Sequence, residues 1–256
     1  LCFSVFWWAK FRKKKGGIKV HTLYDVETQI PAFFHITEAS VHDSKVMIEI
    51  PYEPSSYYIF DRGYNNFKML YEIHQIEAYF VVRTKKNLQY KSIQWKRRLP
   101  RNVLSDASVL LTGFYPKQYY PEPLRLVKYW DEEQEREFTF ITNAMHISAL
   151  QVAGLYKNRW QAELLFKWLK QHFKIKRFWG TTENAVRIQI YAAICAYCLV
   201  AIIQHDMQLD RSKYEVLQIL SISLTDKTHL RDLFDKTKFQ KDKERFGPNG
   251  SSLFNF

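Results

Sequence analysis

The stretch Tyr156-Lys157-Asn158-Arg159-Trp160-Gln161-Ala162-Glu163-Leu164-Leu165-Phe166-Lys167-Trp168-Leu169-Lys170 decides how the rest of the chain is read. It holds no proline or glycine, and its residue types favour a helix. With Glu163 as zero on a helical wheel, Arg159 falls at about −40°, Tyr156 at about +20° and Lys170 at about −20°. Four polar-headed side chains then share one narrow face. Leu164, Leu165, Trp168 and Leu169 cover most of the remainder, which predicts a helix packed on several sides. A carboxylate between two cations is costly on such a helix unless something requires it there. The plainer reading is an Arg159–Glu163 ion pair at i,i+4, contributing about 0.2–0.5 kcal/mol.

A second stretch lies upstream. Tyr57-Tyr58-Ile59-Phe60 is a continuous apolar run, as expected of a strand covered on both faces, and it ends at Asp61-Arg62-Gly63-Tyr64. Asp61 therefore stands at the carboxyl end of a strand, where open α/β sheets bind ligands. As a plain structural residue it would cap the turn. Asn65 and Asn66 follow as caps of an amphipathic helix through about Gln75, and Ala78–Arg83 reads as the next strand.

The chain has 256 residues and a formal net charge of +12, which favours a polyanionic partner. Lys10–Lys19 holds six basic residues and Arg83–Arg101 holds eight with no acid. A third run (Lys167, Lys170, Lys174, Lys176, Arg177) follows Glu163. Solvated faces explain one such run. Three interleaved with Tyr90, Trp95, Phe173, Phe178 and Trp179 fit a nucleic-acid surface better. The three cysteines exclude a disulfide scaffold. Cys195 and Cys198 lie in the apolar run Ile188–Ile203 with no second ligand pair, and read as small core residues rather than zinc ligands. That run is short for a membrane span. His35, His42 and Asp43 offer metal-type side chains, but Asp43-Ser44 reads more simply as the cap of a short helix to Ile50.

Tyr-x2-Arg-x3-Glu-x6-Lys at Tyr156–Lys170, together with Asp61-Arg62-Gly63-Tyr64 after an apolar strand, resembles the bacterial insertion-sequence transposases of the DDE type. The resemblance implies an α/β (α+β) fold, an RNase H-like mixed sheet with flanking helices interrupted by a β-rich insertion. It implies transposition of DNA by metal-dependent cleavage and strand transfer at transposon ends. Asp61 and Glu163 would be the second and third catalytic acids and metal ligands. The cofactor would be Mg2+ or Mn2+, two ions in the complete enzyme, a pair that suits phosphoryl transfer. Tyr156, Arg159 and Lys170 would hold the DNA strand near the scissile phosphate. Lys13, Lys14 and Lys15 extend the DNA-binding surface through the basic loop.

The first acid of that family has no counterpart in this sequence. Asp25 sits in a hairpin turn between Ile18–Tyr24 and Gln29–Thr37 and is not promoted to the role. The expectation is a transposase lacking its first core strand, inactive by itself. The alternatives are an inactive DNA-binding remnant and an RNase H-like metal-dependent nuclease. The core is expected at 1–84 and 144–205, and the insertion at 85–143 with strands Val103–Thr112, Leu124–Trp130 and Glu137–Thr142. Residues 206–256 would form a helical segment around Lys213–Leu220 and a poorly ordered tail from Lys238. Partners would be the transposon ends, target DNA and a second copy in a synaptic homodimer. Localisation would be cytoplasmic, with the nucleoid and no membrane.

Overall fold

The structure is a computed structural model that describes residues 2–3, 10–12, 15–173, 175, 178–223 and 227–235, with backbone alone up to residue 16. Lys13, Lys14 and the tail from Lys238 lie outside the described residues. The chain divides into two compact units, residues 1–189 and 190–256.

The first unit opens with short strands β1 (Cys2–Phe3) and β2 (Lys10–Arg12), both antiparallel to β3 (Lys15–Tyr24). β3 forms a hairpin with β4 (Pro31–Glu38), in register from Ile18↔Glu38 to Leu23↔Phe33. Asp25 builds the turn as expected, its carboxylate accepting from Glu27 N and Thr28 Oγ1. The next segment, Asp43–Glu49, is a 3-10 helix capped by His42 rather than by Asp43 or Ser44.

The second sheet is mixed and six-stranded, in the order β5-β6-β10-β9-β8-β7. β5 (Tyr57–Phe60) and β6 (Tyr79–Arg83) are parallel, joined by α1 (Phe67–Gln75), with Asn66 at its N-cap as its sequence predicts. β7 (Tyr90–Trp95), β8 (Val103–Leu111), β9 (Leu124–Asp131) and β10 (Arg136–Thr142) are antiparallel, and β10 returns to pair with β6. This is the α/β mixed sheet with flanking helices that the sequence implies. The stretch read as an insertion thus ends in a strand hydrogen-bonded to β6 itself.

Helices cover both faces. Met69, Leu70 and Ile73 of α1 pack with Tyr58, Phe60, Phe80 and Val82 on one side. On the other, Ala149, Val152, Ala153 and Tyr156 of α3 (Ala149–Lys157) pack on Val81, Val127, Phe138 and Phe140. Ser148 caps α3 in a reciprocal box with Gln151, closing two otherwise orphaned donors. Two elements differ from the sequence reading. α2 (Phe114–Tyr119) forms across Pro116, which is tolerated because it falls in the first turn, where its missing N–H has no helical partner anyway. Asp131 opens the acidic string Asp131-Glu132-Glu133-Gln134-Glu135, whose composition suggests a solvated turn, yet it is buried and accepts from Glu133 N and Gln134 N to close the β9–β10 hairpin.

Helix α5 (Glu183–Asp206) is 24 residues long, and by length and composition it could cross a membrane. In the second unit its Val200 lies instead in a cluster with Val216 and Ile219 of α6 (Lys213–Ile222), together with Leu233 and Phe234.

Candidate active site

The expected continuous helix from Tyr156 to Lys170 is two helices. α3 stops at Lys157 and α4 (Trp160–His172) begins after Asn158 and Arg159, which form a turn. Short-range bonds tighten the junction: Asn158 N to Leu155 O, Arg159 N to Tyr156 O and Gln161 N to Asn158 O. The cause is tertiary. Tyr156 is held over Phe140 at 4.7 Å and Phe138 at 5.7 Å, whereas α4 lies against β3 of the hairpin sheet. α4 is also less enclosed than its composition suggests. Leu165 and Leu169 are buried, while Leu164 and Trp160 are exposed.

The break leaves the four signature residues on different supports. Tyr156 is buried in α3 and its hydroxyl donates a long hydrogen bond, 3.4 Å, to Asp61 Oδ1. Arg159 stands 5.7 Å from the Tyr156 ring centre, and its Nη1 meets Glu163 Oε1 at 2.6 Å. Asp61, Tyr156, Arg159 and Glu163 therefore form one chain of contacts running from the end of β5 to the first turn of α4. Lys170 is exposed near the far end of α4, about 10 Å along the axis from Glu163 at ~1.5 Å per residue. Lys15 is described in its backbone alone.

The electrostatics follow from this packing. Burial raises the Tyr156 hydroxyl pKa and the Asp61 charge adds to it, while Arg159 and Arg83 pull against both. Burial also works against the Arg159 charge, but the hydrogen bond to Glu163 and the fields of Tyr156, Glu163 and Asp61 outweigh it, so the cation is held. Arg159 Nε is buried without a hydrogen-bond partner. An orphaned donor on a guanidinium is expensive, and it is the group with which arginine reads phosphate oxygens.

Asp61 directly follows the last residue of β5. It caps the 3-10 turn Arg62–Tyr64, with Oδ1 accepting from Arg62 N at 2.7 Å. Gly63 allows a close approach: a Cβ there would lie 2.7 Å from Asp43 Oδ2, so the Asp43 carboxylate would have to move. Asp43 is in turn anchored by Lys19 Nζ at 2.9 Å. Tyr64 completes the support. Its hydroxyl meets Nδ1 of buried His21 at 3.1 Å, and burial, with Asp43 and Asp61 nearby, pushes its pKa up to about 12.

The roles of two residues escaped sequence reading, which took Asn65 only as a helix cap and Arg83 only as the end of a strand. Arg83 ends β6 beside the carboxyl end of β5 and lies over Phe138 at 5.0 Å, close enough to act on Tyr156. Asn65 donates from Nδ2 to both Arg62 O and Arg83 O, tying the ends of the two parallel strands together. The available signal was position alone: a cation directly after the second parallel strand, and an asparagine four residues after Asp61.

The donor set was tested for a divalent metal. Asp61 engages Oδ1 and Glu163 engages Oε1, and neither Asp61 Oδ2 nor Glu163 Oε2 takes a hydrogen bond among the described residues. Hard oxygen donors of this kind suit Mg2+, which is commonly held by one or two carboxylates with water and phosphate. Among the described residues no three Asp, Glu, His or Cys side chains gather into a metal cluster. Asp61 and Glu163 are of the ligand type such an ion takes, and the described residues gather no third acid beside them.

Comparison with known proteins adds a separate line of observation. The family described as the transposase DDE domain matches residues 5–199. The chain is 38% identical over 202 residues to a putative transposase, y4zB, of Sinorhizobium fredii, covering 76% of this chain and 56% of that protein. It is 29% identical over 193 residues to a probable transposase for insertion sequence element IS5377 of Geobacillus stearothermophilus, covering 75% and 51%. A putative transposase for insertion sequence element IS4SA of Synechocystis is 25% identical over 223 residues, covering 82% and 60%. The chain spans about half the length of the curated relatives it matches.

Proposed function

The chain belongs to the transposase DDE-domain family, and on that premise we propose that it is the catalytic part of an enzyme that cuts and rejoins DNA at the ends of a mobile element. The observation that carries this is the contact chain Asp61–Tyr156–Arg159–Glu163, which joins a carboxylate at a strand end to a carboxylate on a helix through a cation. In this reading Asp61 and Glu163 would hold Mg2+ or Mn2+, with two ions in the complete enzyme. Bound there, the metal supplies charge stabilisation at the attacking and leaving oxygens of the phosphoryl group. Arg159 brings its half-buried cation to the phosphate beside the two carboxylates, and Tyr156 fixes Asp61 in place. Lys170 and the loop of Lys13, Lys14 and Lys15 contact the strand further away. Charge of +12 provides the sequence-independent part of the affinity. The core comprises residues 1–84 and 144–205, with 85–143 as a β-rich arm welded to β6 and 206–256 as the terminal segment. The enzyme works as a homodimer on paired ends, in the cytoplasm.

The test uses the full reading frame that contains this chain. Asp61→Asn and Glu163→Gln should each abolish metal-dependent nicking of end-bearing DNA while leaving binding within about two-fold, because they remove metal ligands and keep every phosphate contact. Arg159→Ala should lose binding and nicking together. The 256-residue chain alone should nick nothing, since it gathers two acids at the site. Nicking by the chain alone, surviving Glu163→Gln, would overturn the assignment.

A further inference from the structure

A groove of about 530 Å³ opens beside the Asp61 turn, within the range of ligand sites of ~300–1,000 Å³. One wall is Asn65 and Asn66, directly after the Arg62–Tyr64 turn. The other is α2 with Phe114, Tyr115 and Tyr119, and Lys85 and Gln89 lie between. None of its thirteen lining residues is acidic. The rings are set outward. Phe114 is 80% exposed and Tyr115 63%, while the adjacent Tyr120 is fully buried and packs with Phe80 and Leu124 beneath the sheet. Folding uses Tyr120 and leaves the others in water. They are ordered against one another: Phe114 and Tyr115 stand edge-to-face at 5.1 Å, and Tyr115 and Tyr119 are near-parallel at 14°. An ordered cluster of exposed rings facing amide side chains and a lysine is unusual on a protein surface that has no partner.

We propose that this groove holds an unpaired stretch of DNA strand leaving the cleavage point, with bases stacked on Phe114, Tyr115 and Tyr119 and phosphates beside Lys85. The inference rests on the transposase reading for its ligand and goes beyond it in saying where one strand runs. Flat apolar rings beside a cation suit bases and phosphates of a single strand, because every base has a stacking face and duplex DNA hides those faces. The Asn66 Nδ2 group and the exposed Gln89 and Asn87 amides provide uncharged polar groups for base edges. The reach is right. Asn65 is four residues from Asp61, at most about 14 Å even if fully extended, or roughly four stacked nucleotides at ~3.4 Å each.

The test uses the 256-residue chain with a short fluorescein-labelled oligothymidylate and, separately, a duplex of equal length. Phe114→Ala and Tyr115→Ala should each weaken strand binding about ten-fold or more while changing duplex binding less than about two-fold. The salt slope should stay the same, because rings neutralise no phosphate. A 2-aminopurine placed within the strand should be quenched by the parent and by Phe114→Trp, and not by Phe114→Ala. Both rings are on the surface, so thermal melting should match the parent, and a matched melt with an unchanged strand affinity overturns the groove. Equal losses for strand and duplex also overturn it. If the ring variants are silent while Asp61→Asn still abolishes nicking by the full protein, the groove falls and the transposase reading stands. If the chain binds neither DNA, both fall.

Discussion

Two arginine–carboxylate pairs in this molecule show how differently the same chemistry can be used. Arg125 and Asp106 are 2% and 4% exposed at the side chain and meet through two parallel bonds, Nε to Oδ1 and Nη2 to Oδ2, both 2.8 Å. Arg125 Nη1 donates further to Ala144 O and Ile147 O, so the guanidinium also fastens the loop entering α3. Arg159 and Glu163 are 30% and 43% exposed and share one contact, leaving Nε orphaned and one carboxylate oxygen open. A pair that serves the fold is closed and saturated. The pair at the candidate site is half-exposed and unsaturated.

The largest expected effect separates the two directly. Arg125→Met should cost about 3–5 kcal/mol in urea unfolding, since it leaves the buried Asp106 carboxylate with Lys96 as its one remaining cation and frees the Ala144 and Ile147 carbonyls. Arg159→Ala should cost no more than about 1 kcal/mol, as exposed pairs do. Comparable losses would erase the contrast. Next is Gly63→Ala, which drives a methyl against the Asp43 carboxylate and should cost about 1–3 kcal/mol, with Asp43→Ala in the same chain recovering part of it. Gly154 is the counterpart. It lies inside α3 with open space where a Cβ would go, so Gly154→Ala should stabilise by about 0.5–1 kcal/mol.

Acid sharpens the comparison further. Burial alone would raise the Asp106 pKa, but the Arg125 hydrogen bonds and the charges of Arg125 and Lys96 hold it below the usual carboxylate value. A folded pKa below the unfolded one means stability that is present above about pH 4 and lost as pH falls through the folded value. That loss should be smaller in Asp106→Asn, measured against the parent's own pH series. His21 acts at higher pH. Burial lowers its pKa from 6.5, with Lys19 and His35 assisting and Asp43 opposing, so the folded state binds fewer protons. Stability should therefore decline as pH drops below about 6.5, and His21→Gln should flatten that slope.

Much of this was legible from local pattern. The apolar run Tyr57–Phe60 ending in Asp61, the Asn66 and Ser148 caps, and the Asp25 hairpin each encode their geometry within a few residues. What escaped the sequence depends on partners far along the chain. Nothing between Tyr156 and Lys170 breaks a helix; the turn at Asn158–Arg159 arises because Phe138, Phe140 and β3 pull the two halves onto different surfaces. Arg83 looked like the end of a strand until Asn65 and Tyr156 were placed beside it. Pro116 looked like punctuation because a one-turn aromatic helix has no periodicity to detect.

The turn at Asn158–Arg159 also gives the two carboxylates different footings. Asp61 is gripped by its own cap bond, by Tyr156 and by the Asn65 staple behind it. Glu163 is met by Arg159 and rides on α4, which lies against β3 and buries Leu165 and Leu169. The two carboxylates are thus mounted on different walls, so a substitution that shifts one wall changes the gap between them while the other keeps its seat.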